Sequence, residues 1–214
     1  MTWAWDNRNP LSRMLSEHIY MAFLPLLIGL VLAVPLGIAV ARSPRSRTSA
    51  LGLCALVEAI PALSWFVFLP GFLGTSLSAR INVVVGLTLL VTFMLTRSIA
   101  EALAAVPRPL VDTADALGFT SASRTWQVEV PVALPAMIDG LRAAAVATIS
   151  LTTLAALIGG GGLGLTFTDG FATHSDAEVL SGAAVVVVLV AAVETLLIRA
   201  QRLVAPWAKL VPVR

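Results

Sequence analysis

The sequence predicts an all-α membrane protein with about five transmembrane helices and one long polar loop between the third and the fourth. Three observations carry this. Of the 214 residues, 58% are hydrophobic and only 12% are charged, against about a quarter charged in an ordinary soluble domain. The mean hydropathy is +0.92. The apolar residues also gather into runs of about 20, the length a helix needs to cross a bilayer.

The first run extends from about His18 to Ala41 and ends at "ARSPRSRTS", with three arginines and a proline. The second covers about Ala50 to Leu69 and carries Glu58 and a helix-disturbing Pro61. The third covers about Leu77 to Thr96, with Arg80 near one end; polar sequence follows from Arg97 to Pro135. The fourth and fifth cover about Ala136 to Ile158 and Val179 to Ile198. This divides the chain into an N-terminal segment over 1–17, a membrane domain over 18–198 with its loop at about 97–135, and a tail over 199–214. The N-terminus shows neither the basic start nor the small-residue cleavage site of a secretory signal, so the first span is expected to be retained.

Basic residues favour the cytoplasmic flanks of spans. Arg42, Arg45 and Arg47 follow the first span; Arg97, Arg108, Arg124 and Arg142 surround the long loop; Arg199, Arg202, Lys209 and Arg214 mark the tail. Only Arg8, Arg13 and Arg80 fall on the other side. Five spans with that bias place the N-terminus outside and the C-terminus in the cytoplasm of a multi-pass plasma- or inner-membrane protein. Single, scattered arginines and a net charge of +2 give no clustered basic face for nucleic acid. One cysteine, Cys54, and two histidines, His18 and His174, leave almost no ligands for a metal site.

"LIGGGGLGLTF" contains a literal G-x-G-x-x-G at Gly159, Gly161 and Gly164. A dinucleotide-binding turn needs a strand before these glycines and an acidic residue about 20 positions after them. Here a membrane span precedes them, and Glu178 comes only 14 residues after Gly164. The run Gly159, Gly160, Gly161, Gly162 and Gly164 is therefore read as an extracytoplasmic turn in which backbone bends and packs closely. No G-x-x-x-x-G-K-[ST] loop occurs, so uphill transport would draw on a partner or an ion gradient.

The loop "PRPLVDTADALGFTSASRTWQVEVPVALP" has its own helical signals. Pro109 can open a helix, Leu110, Ala114 and Leu117 recur at helical spacing, and Gly118 can close it in the left-handed conformation. Ser121 or Ser123 can cap a second short helix through Trp126 and Val128. Pro131 and Pro135 are expected to interrupt the chain before the fourth span. Two short helices with an apolar edge can serve as a connector packed on the membrane domain, or as a docking element for a partner's groove.

At these residues the chain resembles the permease subunits of binding-protein-dependent ABC importers. Their loop signature is E-A-A, three residues, Gly, nine residues, Ile-x-Leu-Pro. Asp112, Thr113, Ala114, Gly118, Val128, Val130 and Pro131 occupy those places at the right spacing. The substitutions keep charge sign, size or apolarity. "VPLGIAVARS", "EAIPALSW" and "LAALIGGGGLG" resemble the glycine betaine/choline/proline (osmoprotectant) branch, although that branch has Gln-Thr-Ile-Pro-Ser where this chain has Glu58 to Ala62. Methionine importers carry a similar Gly-Gly-Leu-Gly.

The resemblance implies the type I importer permease fold and a non-catalytic subunit. Two permeases, identical or homologous, would form the pathway at their interface. A separate cytoplasmic ATPase, which binds the ATP and magnesium, would receive the loop helix in a surface groove. An extracytoplasmic solute-binding protein would deliver the solute. Asp112, Ala114 and Gly118 are the residues the resemblance makes central to coupling, with Thr113, Leu117, Val128, Val130 and Pro131 around them.

Within the spans, Glu58 costs roughly 2.5–3.5 kcal/mol at mid-bilayer on insertion scales and must face protein or water. It is a candidate pathway residue with Pro61 and Trp65, or a structural group beside the Pro61 distortion; Trp65 and Phe66 also suit an interfacial or a packing role. Asp139 and Arg142, three apart, read as an ion pair, and Glu194 as an interface group five residues before Arg199. Gly29, Gly37 and Gly86 suit close helix approach. The competing readings are a methionine-type permease and an ATP-independent secondary transporter, which would need matched halves that five spans do not supply.

Overall fold

The computed structural model describes residues 2–207, and all of its regular structure is helical. Lys209 and Arg214 of the expected tail lie outside the described residues.

A short helix, α1 (Thr2–Asp6), leads into α2 (Arg8–Arg42), which starts ten residues before the expected span. Pro10 does not prevent this, because the first turn of a helix has no intrahelical partner for its N–H groups. The inward face of α2 repeats every three or four residues: His18, Met21, Ala22, Pro25, Leu26, Gly29, Ala33 and Gly37.

After Ser43, Pro44 occupies the first turn of α3 (Pro44–Ala59). The expected single second span is then corrected. Ile60 is extended, Pro61 has φ −55° and ψ 136°, and α4 (Ala62–Leu73) leaves at 94° to α3. Proline removes a helical donor and biases the preceding residue toward extended geometry. Gly74, with φ +65°, ends α4.

The central helix is α5 (Arg80–Ala104), with 61% of its most apolar window buried. On it lie the glycines of α2: a Cβ on Gly29 would stand 2.6 Å from Val91, and one on Gly37 2.6 Å from Ile99. Gly86 of α5 makes the corresponding approach to Phe66, 3.0 Å from a Cβ. Phe66 is fully buried, which selects the packing role of the two open to it.

The loop forms α6 (Arg108–Ala116) and α7 (Ser121–Arg124). It does not stop at Pro131 or Pro135 as expected. A π-helical turn, Thr125–Glu129, joins α7 to α8 (Val130–Thr152), and a 3-10 segment, Thr153–Ile158, continues it. The N–H of Val130 reaches back to the carbonyl of Thr125, and Pro131 falls in the first turn of α8, where its missing donor costs little. Pro135 lies inside α8, and its carbonyl accepts from Gln201 Nε2 at 3.0 Å. After the glycine-rich turn come α9 (Leu165–Ala172) and α10 (Asp176–Val204).

Among the described residues, four helices are long and apolar enough to cross a membrane, and the bent pair α3–α4 passes the same test when taken together, as a broken span or a re-entrant loop. One core cluster joins α2, α5 and α8 through Ala33, Leu95, Ile99, Ala144 and Ile149. A second joins α4, α5 and the 3-10 segment through Phe66, Leu87 and Ile158. The outer helix α10 is apolar yet only 11% buried in its most apolar window, as suits a surface facing lipid or another subunit.

Candidate functional site

The signature residues lie at the end of the bundle where α2 finishes and α3 begins. Pro107 and Pro109 set the start of α6, whose own donors there need no partner. At its other end Gly118, at φ +83°, donates to Asp115 O at 3.0 Å while Phe119 donates to Ala114 O at 3.1 Å. This is a Schellman closure, which glycine adopts without the penalty a side chain meets at positive φ. No atom lies within 4 Å of a Cβ placed on Gly118. The turn thus has free space on its outer side.

Ala114 is buried and Val111 packs on the first core cluster, so these two seat α6 on the bundle. The expected apolar edge divides accordingly. Leu110 and Leu117 point outward, with Leu117 73% exposed, and Asp112, Thr113 and Gly118 are exposed beside them. The cap of α7 is Thr120, whose Oγ1 accepts from the Ser123 N–H at 3.3 Å, in place of Ser121 or Ser123. Val128 and Val130 are half-buried, and Val130 joins the same core cluster as Val111.

A charged network, not foreseen from the sequence, holds the two arms of the signature together. Arg124 Nη1 lies 2.6 Å from both oxygens of Asp115, and its Nε donates to Glu129 Oε1 at 2.7 Å. Arg124 and Glu129 are five apart, a separation that the π turn brings onto one face. Thr125 Oγ1 donates to Glu129 Oε2 at 3.1 Å, and Arg42 at the end of α2 donates to Thr125 Oγ1 and, at 3.0 Å, to Ser121 O. The sequence contained only one cue, the arginines themselves, which read as topology markers.

The second candidate group lies apart from the first. Glu58 ends α3 rather than occupying the middle of a straight span, and its Oε2 faces Arg97 Nη1 of α5 at 3.5 Å. Arg97 is seven residues from the end of α5, about 10 Å by helical rise, so the carboxylate lies nearer the loop end than expected. Arg97 also pairs with Glu101 at 3.0 Å. Glu58 Oε1 is enclosed without a hydrogen-bond partner among the described residues, as is Trp65 Nε1 on the far side of the Pro61 break. Trp65 packs against the second core cluster. Asp139 and Arg142 pair at 2.8 Å as expected, and Glu194 of α10 pairs with Arg142 of α8, an interface role between helices.

The glycine-rich turn is at the opposite end. Gly159, Gly161 and Gly162 have φ of +80°, +90° and +77°. A Cβ on Gly162 would stand 2.9 Å from Met21 and 3.3 Å from His18 Nδ1, and one on Gly160 2.9 Å from Ala155 O. Gly164 is pressed against Thr153 and Ala156. Beside Gly161, Glu17 pairs with Arg80 at 2.8 Å, and His18 Nε2 lies 3.1 Å from Ile149 O. Glu17 and His18 were missed as partners of the turn. The segment before the glycines is a 3-10 helix and the segment after them is α9, so no strand precedes the G-x-G-x-x-G. The turn is a packing device.

A family model described as binding-protein-dependent transport system inner membrane component matches residues 33–210, spanning the π turn, the Schellman turn and the glycine-rich turn. The chain belongs to this family. The glycine betaine/carnitine/choline transport system permease protein of Bacillus subtilis is 27% identical over 206 residues, 96% of this chain and 94% of that protein. The osmoprotectant import permease protein of Salmonella typhimurium is 29% identical over 205 residues, 94% of each. Among solved structures, an inward-facing MetNI methionine ABC transporter chain superposes with a TM-score of 0.81 at 21% identity, covering 92% of this chain and 98% of that one. The fold is therefore that of the ABC importer permeases, and this inner-membrane component is built as a multi-pass helical bundle.

Proposed function

We propose that this permease forms half of the translocation pathway for glycine betaine, choline or a related quaternary amine. A second permease, identical or homologous, supplies the other half. A cytoplasmic ATPase binds ATP and magnesium and drives the cycle, and an extracytoplasmic binding protein delivers the solute. In this reading the N-terminus is outside and the loop and C-terminus are cytoplasmic. The chain itself carries no catalytic residue. The solute class is supported by near full-length similarity to osmoprotectant permeases of two bacteria.

The observation that carries the coupling role is the seating of α6. It is fixed on the bundle by Val111, Ala114 and the Arg124 clamp, yet leaves Asp112, Thr113, Leu117 and the Gly118 turn open. Such a ridge fits a partner's groove without rearranging its own base. Closure of two ATPases on ATP draws the two loop helices together, and the bundles follow. Glu58, Pro61 and Trp65 belong to the pathway side of this scheme, where a carboxylate and an aromatic face both favour a quaternary ammonium.

Uptake of labelled glycine betaine, choline and carnitine tests the solute. Deleting this subunit is expected to abolish uptake of at least one of them. Unchanged uptake of all three with loss of methionine uptake assigns the chain to the amino-acid branch instead. Purification from the native membrane should bring an ATPase with it; its absence would reject the coupling scheme.

A further inference from the structure

A cavity of about 310 Å³ opens at the loop end between α2, α3, α5, α6 and the π turn. Four arginines line it, Arg42, Arg47, Arg108 and Arg124, against one carboxylate, Glu129. With Asp115 held against Arg124, the site keeps an excess of two positive charges, four arginines against two carboxylates. Arg42 and Arg124 are engaged in the network that holds the loop. Arg47 and Arg108 have no ion pair or side-chain hydrogen bond among the described residues, and Arg47 Nε is enclosed from solvent without an acceptor. Ile38, Leu103 and Val106 form the apolar part of the lining.

We infer that this cavity is a binding site for a phosphate group, held by Arg47 and Arg108 at the membrane face of the loop. Guanidinium forks suit the oxygens of a phosphate, and an enclosed N–H without an acceptor is the group an anion completes. Basic pockets between transmembrane helices accept anionic lipid headgroups, and the apolar wall of Ile38 and Leu103 gives the acyl end of a lipid a surface to meet. Inorganic phosphate offers the same oxygens without that end. Occupancy would bridge α3, through Arg47, to α6, through Arg108. That bridge makes the seat of α6 depend on a third component, a consequence that rests on the coupling role of α6. The binding itself does not.

The test is native mass spectrometry of the purified full-length chain, with phosphatidylglycerol, phosphatidylcholine and inorganic phosphate as probes and no ATPase present. Phosphatidylglycerol is expected to be retained in preference to phosphatidylcholine. Arg47→Gln with Arg108→Gln should lower that retention by about thirtyfold, the order expected for two arginines near an anionic headgroup. Arg199→Gln with Arg202→Gln removes the same charge from exposed positions on α10 and should leave retention within about twofold. Displacement of the lipid by millimolar phosphate identifies free phosphate as the ligand; persistence of the lipid identifies the headgroup. Equal losses in the two double variants, full retention in Arg47→Gln with Arg108→Gln, or no binding of either anion by the unaltered chain overturns the site. The unaltered-chain arms remain decisive if a variant folds poorly. Failure here with normal ATPase co-purification rejects the site and leaves the proposed function standing.

Discussion

Arg124 grips Asp115 across the Gly118 turn, one guanidinium nitrogen equidistant from both carboxylate oxygens at 2.6 Å. The contact ties the C-terminal end of α6 to the π turn, and Glu129 steadies the arginine from the other side. Both members of the pair are partly exposed, so its contribution is about 0.2–1 kcal/mol.

That magnitude predicts a local effect for Asp115→Asn. The melting temperature should change little, while hydrogen exchange at Leu117, Gly118 and Phe119 should rise by up to about fivefold, the factor that 1 kcal/mol supplies. Unchanged exchange at those amides would show that Val111 and Ala114 hold the helix without the clamp.

Gly118 separates a connector from a docking ridge. Its φ of +83° makes any side chain cost about 1 kcal/mol, and the free space around it spares the fold a steric clash. Gly118→Asp is expected to reach the membrane at normal levels but to lose the co-purifying ATPase and uptake, because a charge there is desolvated on docking. Gly118→Ala should be milder. Full uptake and ATPase retention in Gly118→Asp would mean that the loop only connects spans.

Glu58 and Arg97 should respond unequally to neutralisation. Glu58→Gln leaves Arg97 with Glu101; substantial transport is the outcome if Glu58 is a structural group, since the related branch carries Gln in this place, and a marked loss of transport is the outcome if its carboxylate attracts the solute. Arg97→Gln leaves two carboxylates near each other with no guanidinium between them. We expect a lower melting temperature, and a modest change, because both side chains are partly exposed. Thermal unfolding in detergent should show Glu58→Gln combined with Arg97→Gln recovering part of that loss; a purely additive double variant would remove the coupling.

Orientation is checked by single cysteines at Ala172 and Ser121, both exposed, in a Cys54→Ser background. In intact cells a membrane-impermeant thiol reagent is expected to label position 172 and spare position 121. Strong labelling at 121 would reverse the topology and remove the ATPase from the loop's side.

What was legible in the sequence follows from which forces act locally. The apolar runs of the first, third, fourth and fifth spans, the Gly118 helix end and the Asp139–Arg142 pair depend on neighbours within one or two turns, and each lies inside the helix or turn the pattern marks. Gly29, Gly37 and Gly86 were legible as small residues, though not their partners Val91, Ile99 and Phe66. Proline has opposite consequences at the two places where the sequence signals a disturbance. At Pro61 it breaks a span and turns the chain by 94°, whereas Pro131 and Pro135 are absorbed by a π turn and an acceptor role for a carbonyl. The outcome depends on what the surrounding helices offer to the freed backbone groups, and a single chain's spacing does not encode that. The ion pairs Glu17–Arg80, Glu58–Arg97 and Arg142–Glu194 join helices far apart in sequence. They were invisible for the same reason.

The run from Ser121 to Ile158 is helical for 38 residues, so it is a strut of roughly 57 Å at 1.5 Å per residue. One end lies beside the Arg124 clamp and the other meets the glycine-rich turn against Glu17 and His18. A tilt of about 5° at the first end would sweep the second through about 5 Å, given that length. The π turn near one end and the 3-10 segment at the other are the two places where such a lever can give. Motion imposed at the clamp end thus arrives at the glycine-rich end as geometry, carried by one continuous piece of backbone.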